Sequence, residues 1–215
     1  MADVKAIAER ISNEQHINKD RDVKALVEQA LAAGVDVEKV LNDGLVAGMQ
    51  IVGDKFKNNV FYVPEVLISA RAMNAAMAVL APKLSASGHK PLARVVVGTV
   101  KGDLHDIGKN LVKMMLTGGG FEVIDLGIDV DAKRFAEEAK AKDAQLIACS
   151  ALLTTTMPQM KNVVEALKAA NAKGVKVMIG GAPVTQEYCD EIKADGYAPD
   201  AASAVDLARS LIGKK

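Results

Sequence analysis

Two periodicities divide the chain. Up to residue 82 the apolar positions recur at helical spacing; from residue 93 short apolar runs alternate with amphipathic stretches. In the first part, Asp22 to Ala33 puts Val23, Leu26, Val27, Ala30 and Leu31 on one face, and Gly34 follows as a stop signal. Asp36 is a good N-cap for the next helix, whose stripe is Leu41, Leu45, Met49, Val52 and Phe56. Gly44, Gly48 and Gly53 fall in or near that helix. Each Gly in a helix costs roughly 1 kcal/mol against Ala. They therefore predict close approach by another backbone or a bulky ligand, or a helix that ends early. Pro64 stands where a first helical turn tolerates proline, and Val66, Ala70, Met73, Met77 and Leu80 continue the pattern. With the N-terminal segment these predict an all-α four-helix bundle over residues 1–82. Ser, Gly and Pro cluster over 83–92, which reads as a linker.

From 93 to 215 apolar runs at 94–100, 121–126, 145–150 and 175–180 alternate with helical stretches near 107–117, 131–142, 157–171 and 184–193. A short run near 196–198 and a helix at 201–212 complete the pattern. Such alternation predicts βαβ units and an α/β, flavodoxin-like (Rossmann-like) five-stranded parallel sheet covered on both faces. In that fold the strand ends share one edge: His105 after the first, Gly127 after the second, Ser150 after the third and Gly180-Gly181 after the fourth. The crevice along that edge is the expected site.

Composition narrows the function. Lys plus Arg and Asp plus Glu number 27 each, so no polyanionic partner is demanded, and 3% aromatics with no Trp disfavour single-stranded nucleic acid. Cys149 and Cys189 are too far apart for a Cys-x-x-Cys motif and read as buried thiols of a reducing compartment. The N-terminus lacks the apolar core of a signal peptide, and no apolar run looks long enough to span a bilayer. The expected location is the cytoplasm, with no membrane partner.

The first strand end holds the densest chemistry, Gly98-Thr-Val-Lys-Gly-Asp-Leu-His-Asp-Ile-Gly-Lys-Asn110. It is not a P-loop. Five residues separate Gly102 from Gly108, Asn110 stands where a magnesium-binding hydroxyl is needed, and Asp103 and Asp106 would repel phosphate. Gly118-Gly-Gly120 reads as a turn at a helix end. Asp103 and His105 could be a metal-ligating imidazole and the carboxylate that orients it, or a solvated loop histidine with an Asp at a helix start. Zinc is a poor fit because no other His or Cys stands at ligand spacing. His16 and His89 lie in surface-like stretches and are given no role. A single protein ligand would leave the rest of a coordination sphere to a macrocycle.

Asp103-x-His105-x-x-Gly108, 41 residues, Ser150-x-Leu152, 27 residues, then Gly180-Gly181 resembles the fingerprint of the cobalamin-binding family. That family includes methionine synthase, the B12-dependent mutases and the small corrinoid proteins of methyltransferase systems. The stretch Phe61-Tyr-Val-Pro-Glu-Val-Leu-Ile-Ser-Ala-Arg-Ala-Met73 is similar to the helical cap that precedes the cobalamin domain in methionine synthase. Mutases generally lack that cap. Ser150-Ala-Leu-Leu-Thr-Thr-Thr-Met157 and Gly180-Gly-Ala-Pro-Val-Thr-Gln186 look like the corrinoid proteins of methylamine, methanol, betaine and methoxyaromatic demethylation.

The resemblance implies a cobalamin or related corrinoid bound base-off and His-on. His105 would be the axial cobalt ligand, Asp103 would hold its other ring nitrogen, and Ser150 would hydrogen-bond Asp103. Asp106, Gly108, Leu152, Thr154, Gly180 and Gly181 would contact the cofactor, the glycines leaving room for its displaced tail. Residues 1–82 would be a lid, with 83–92 as hinge. The implied activity is carriage of a methyl group, taken up by Co(I) and given up from methyl–Co(III), rather than complete catalysis. The implied partners are a donor-side methyltransferase, an acceptor-side one serving tetrahydrofolate or a thiol, and a reductive-activation protein. Ala194-Asp-Gly-Tyr-Ala-Pro-Asp-Ala201 leans the donor towards a methoxylated aromatic, then methylamines, methanol or betaine. A cobalamin-responsive sensor or regulatory module is the alternative.

Overall fold

The structure, a computed structural model, describes residues 4–214. They divide into two compact units, one comprising residues up to Lys90 with Gly118–Gly120, the other Pro91–Thr117 with the residues from Phe121 onward.

The first unit is helical: α1 (Val4–Ser12), α2 (Lys19–Ala32), α3 (Val37–Lys39), a π-helical segment (Val40–Val46) that runs into α4 (Ala47–Lys57), and α5 (Val63–Ser87). The run from α3 to α4 is continuous, so these make the four helical rods of the expected bundle. Asp36 caps α3, accepting from the Glu38 and Lys39 N–H groups, and Gly34 ends the α2 turn at φ 79°. The glycines do not end the helix. A side chain at Gly44 would press on Ile7, and one at Gly48 would meet the Ala8 backbone at 3.0 Å, so they admit α1.

The C-terminal end of α1 is closed by cations. The buried Lys19 ammonium donates to the Ile11 and Asn13 carbonyls at 2.9 and 2.6 Å, and Lys55 donates to the Ser12 carbonyl at 2.7 Å. These carbonyls have no partner within their helix, and a cation at that end also interacts favourably with the negative end of the helix dipole. Burial, then the Arg10 and Lys55 charges, pull Lys19 down to about 8.

Two expectations about α5 need correction. The stretch expected as linker from residue 83 is helical to Ser87, with Pro82 inside the helix and Gly88 closing it at φ 73°. Burial of Leu84 gives the last turns a face to pack, and the His89 N–H closes on the Leu84 carbonyl at 3.1 Å. At 25 residues, with an 18-residue stretch of mean hydropathy 1.3, α5 is also long and apolar enough to cross a membrane, contrary to the sequence expectation. Core helices meet the same criterion, and α5 buries Val66, Ala70, Met73 and Leu80 within its unit.

The second unit carries β1 (Arg94–Thr99), α6 (Ile107–Gly118), β2 (Glu122–Asp125), α7 (Ala132–Ala141), β3 (Leu146–Ser150), α8 (Gln159–Ala169), β4 (Lys176–Gly180), α9 (Gln186–Ile192), β5 (Gly196–Tyr197) and α10 (Ala201–Leu211). The strands are all parallel in the order β2-β1-β3-β4-β5. Val96, Ile147, Cys149, Val177 and Ile179 share one core with Phe135 of α7, Val163 of α8 and Ile192 of α9. The alternate residues Val95, Val97, Leu146, Ala148 and Met178 are buried as well, so both sheet faces are covered. Cys149 and Cys189 are buried free thiols, both raised by burial. Strand order reverses between β1 and β3, and the loops leaving those two strands flank the switch point where such sheets bind ligands.

Candidate functional site

β1 delivers the chain to the switch point and two hydrogen bonds hold the loop there. Thr99 Oγ1 donates to the His105 carbonyl at 2.8 Å, and the Asp103 N–H donates to the Val100 carbonyl at 3.1 Å. Asp129, on the loop after β2, accepts from the Gly102 N–H at 2.7 Å and returns its own N–H to the Asp103 carbonyl at 3.1 Å. Asp106 stands just before α6 and accepts from Asn110 Nδ2 at 2.9 Å, which fastens the first helical turn.

These constraints bury Asp103 completely. Its Oδ1 accepts from His105 Nδ1 at 2.8 Å and from the His105 N–H at 3.1 Å. Its Oδ2 accepts from Thr156 Oγ1 at 2.6 Å and from the Leu152 N–H at 2.8 Å. Burial alone would raise this carboxyl. The bonds from Thr156, Leu152 and His105 together outweigh it and hold the group well below the usual carboxylate range. An ionised carboxylate only accepts. His105 Nδ1 therefore carries a proton, and in the neutral ring that leaves the lone pair on Nε2. The ring is half exposed, at 51%, while its Asp103 partner is fully buried. Leu104 on the same loop, Ile107 at the start of α6, Ile128 on the loop after β2, and Leu152 and Leu153 on the loop after β3 are exposed apolar side chains.

The expected residues divide by position. Asp103 and His105 meet as expected. The hydroxyl on Asp103 is that of Thr156, not Ser150; among the described residues no Ser150 hydrogen bond reaches Asp103. Ser150 pairs in register with Thr99 and Gly180 at the sheet edge, and its carbonyl accepts from the Val100 N–H at 3.0 Å. Leu152 contributes its N–H to Asp103. Thr154 lies on the exposed turn between them. A side chain at Gly108 would meet nothing within 4 Å, so space is open there. Gly180 and Gly181 have a closer reason. A Cβ at Gly180 would lie 2.9 Å from the Ala198 carbonyl oxygen, and one at Gly181, with φ 137°, would overlap the Ala151 carbonyl. Their lack of side chains is required by the protein's own backbone.

Sequence reading missed Thr156, Thr99 and an ion pair beside the loop. Lys109, buried on α6, donates to both Asp125 oxygens at 2.7 and 2.9 Å, and Lys113 adds a third contact at 2.9 Å. Burial opposes the Asp125 charge, but the lysines and the Gly127 N–H hold it down at about 2. A lysine opposite an aspartate that closes the second strand was a visible signal. Three threonines in a row offered none for choosing Thr156.

A protein-only metal centre is not built here. Among the described residues no group of three or more His, Cys, Asp or Glu side chains could hold an ion. One imidazole fixed by a buried carboxylate, on loops that expose apolar side chains, could hold a metal whose other ligands come from an apolar macrocycle. The residues fit a corrinoid in that respect.

The comparisons point to the same class of cofactor. Residues 93–206 and residues 19–81 each match a model described as a B12 binding domain. Trimethylamine corrinoid protein 1 of Methanosarcina acetivorans is 45% identical over 197 residues, covering 90% of this chain and 91% of the relative. Dimethylamine corrinoid protein 3 of the same organism is 42% identical over 99% of this chain and the whole of the relative. The methanol:cobalamin methyltransferase complex of Methanosarcina barkeri matches with TM-score 0.85 and 30% identity, over 99% of this chain and 80% of that one. A cobalamin-binding protein of Desulfitobacterium hafniense matches with TM-score 0.79 and 30% identity, over 97% and 98% of the two chains. With both B12 binding matches and these relatives, the chain belongs to the B12-binding corrinoid protein family.

Proposed function

We propose that this protein carries a methyl group between two methyltransferases on a corrinoid bound base-off, with His105 Nε2 as the protein's ligand to cobalt. The observation that carries the reading is the His105 ring itself. Its Nδ1 is held on the buried Asp103, and the ring is half exposed. When bound, the corrinoid supplies the cobalt centre that takes up and releases the methyl group.

The chain's own residues supply the rest. Asp103 fixes the tautomer and aims the ring, and raises its donor strength. Thr156 and the Leu152 N–H keep Asp103 ionised. Leu104, Ile107, Leu152 and Leu153 give the corrin an apolar seat, and the open space at Gly108 leaves a path for its displaced tail. A proton taken up at Nε2 would release the ring, so protonation and ligation compete at one atom.

The relatives' names favour a methylamine as the donor's source, above the methoxylated aromatic suggested by the sequence near residues 194–201. A thiol or tetrahydrofolate would take the group on the acceptor side, and a reductive-activation protein would restore the reduced cofactor. The test is to load the purified protein with cobalamin, reduce it, and add one donor-side methyltransferase at a time with its substrate. Rapid appearance of the methylated spectrum with the trimethylamine or dimethylamine enzyme is expected. Methylation only with a methoxyaromatic enzyme would move the donor assignment. No methylation with any, on a protein that binds cobalamin, would overturn the carrier reading.

A further inference from the structure

The hydroxyl that reaches Asp103 sits on a largely exposed turn. Leu152 to Thr155 are exposed, and only Thr156 at the end of the run is buried. At its start the turn is fastened to β4, where the Ala151 N–H donates to the Gly180 carbonyl at 3.3 Å and Gly181 packs under the Ala151 carbonyl. Inside the turn, the Thr156 and Met157 N–H groups both donate to the Leu153 carbonyl, at 3.1 and 3.0 Å.

Its far end is fastened by a different element. Tyr188 of α9 donates its hydroxyl to the Met157 carbonyl at 2.9 Å. Both side chains pack on the core that α8 and α9 share with the sheet. Burial, then the Glu191 charge, raise the phenol, so it stays a donor. A continuous path follows: Tyr188 to the Met157 carbonyl, Met157 to its neighbour Thr156, Thr156 to Asp103 at 2.6 Å, and Asp103 to His105 Nδ1 at 2.8 Å.

We propose that Tyr188 is a positioning residue for the axial imidazole, acting through the Met157 carbonyl and Thr156 to keep Asp103 hydrogen-bonded and the His105 ring aimed. The consequence for cobalt rests on the carrier reading above; the tether itself does not. α9 therefore has a part in the site although Tyr188 touches neither His105 nor Asp103.

Tyr188→Phe removes one hydroxyl and keeps the ring in its packing. The first readout is hydrogen exchange in the cofactor-free protein at the Leu152 amide, which donates to Asp103 at 2.8 Å. Loss of one net hydrogen bond should speed that exchange about 2- to 10-fold. The second is the fraction of imidazole-ligated cobalt in the loaded protein, read from its visible spectrum, which should fall. Val163→Ala, a core change in α8 away from the turn, is the control for general loosening and should leave Leu152 exchange near wild type. Unchanged Leu152 exchange in Tyr188→Phe, or equal acceleration in Val163→Ala, overturns the tether. Faster exchange with an unchanged ligated fraction overturns the link to His105. If wild-type protein never ligates cobalt through imidazole, the carrier reading and the link to cobalt both fall, and the exchange result still decides the tether.

Discussion

Asp103 sets the chemistry of the site because it is fully buried and held by four donors. Its ionised state comes from hydrogen bonds, so removing one donor leaves an acceptor short in a dry place, which costs more than the bond itself. Thr156→Val should therefore weaken corrinoid binding, on the order of 10- to 100-fold for a group that orients a ligating histidine. Ser150→Ala should leave the Asp103 bonds intact and bind more tightly than Thr156→Val. Titration of both variants with cobalamin checks the order, and a larger loss in Ser150→Ala would return the hydroxyl role to Ser150. Gly181 is a different kind of constraint. Gly181→Ala forces a Cβ into the Ala151 carbonyl at a φ that side chains rarely adopt, and should cost about 3 kcal/mol or more in chemical denaturation. Wild-type stability in that variant would mean the β3 and β4 loops can separate freely.

At the level of elements, the two units show how one residue type answers different needs. Gly44 and Gly48 let α1 lie against the π-helical segment and α4, and a π-bulge in that run is consistent with a helix fitted to its neighbour. Lys19 is the unusual member of the same packing. In the fold it sits at about 8 against an ordinary 10.5, lowered by burial and by two neighbouring cations. The folded state thus binds the proton less tightly than the unfolded chain. Between those values the unfolded chain holds more protons, so this group's contribution to stability rises as pH climbs from about 8 towards 10.5, and its penalty is complete below 8. Lys19→Met should flatten that slope relative to wild type in denaturation series taken across the window. Equal slopes would show that Lys19 is not held in this state. The α6 pair of Lys109 with Asp125 is the opposite case, a buried cation that meets its carboxylate, and it braces the first turn after the His105 loop.

Over the whole molecule, regular structure was legible and irregular structure was not. The five strands and the edge they share could be read because a parallel sheet imposes alternation, and every βαβ unit returns its strand end to the same side. That is why Asp103 and His105 could be placed with Ser150 and Gly180 before any coordinates. Side-chain partners inside the turn after β3 could not be read. No periodicity links Ser150 to Asp103 rather than Thr156, and the choice depends on how residues 151–157 curl. The glycine pair was seen, but its cause lay in carbonyls of other segments, Ala151 and Ala198. Ser, Gly and Pro over 83–92 predict a break, whereas burial of Leu84 carries α5 past Pro82 to Ser87.

On the proposed reading, the imidazole of His105 is the protein's ligand to cobalt. Electron paramagnetic resonance of the loaded protein in its Co(II) form reports the axial nitrogen directly. Labelling the histidines with nitrogen-15 while leaving the cofactor unlabelled should change the nitrogen splitting in wild-type protein, and His105→Ala should lack that label-sensitive splitting while keeping its fold. A splitting that ignores the label, or that survives unchanged in His105→Ala, would contradict the account.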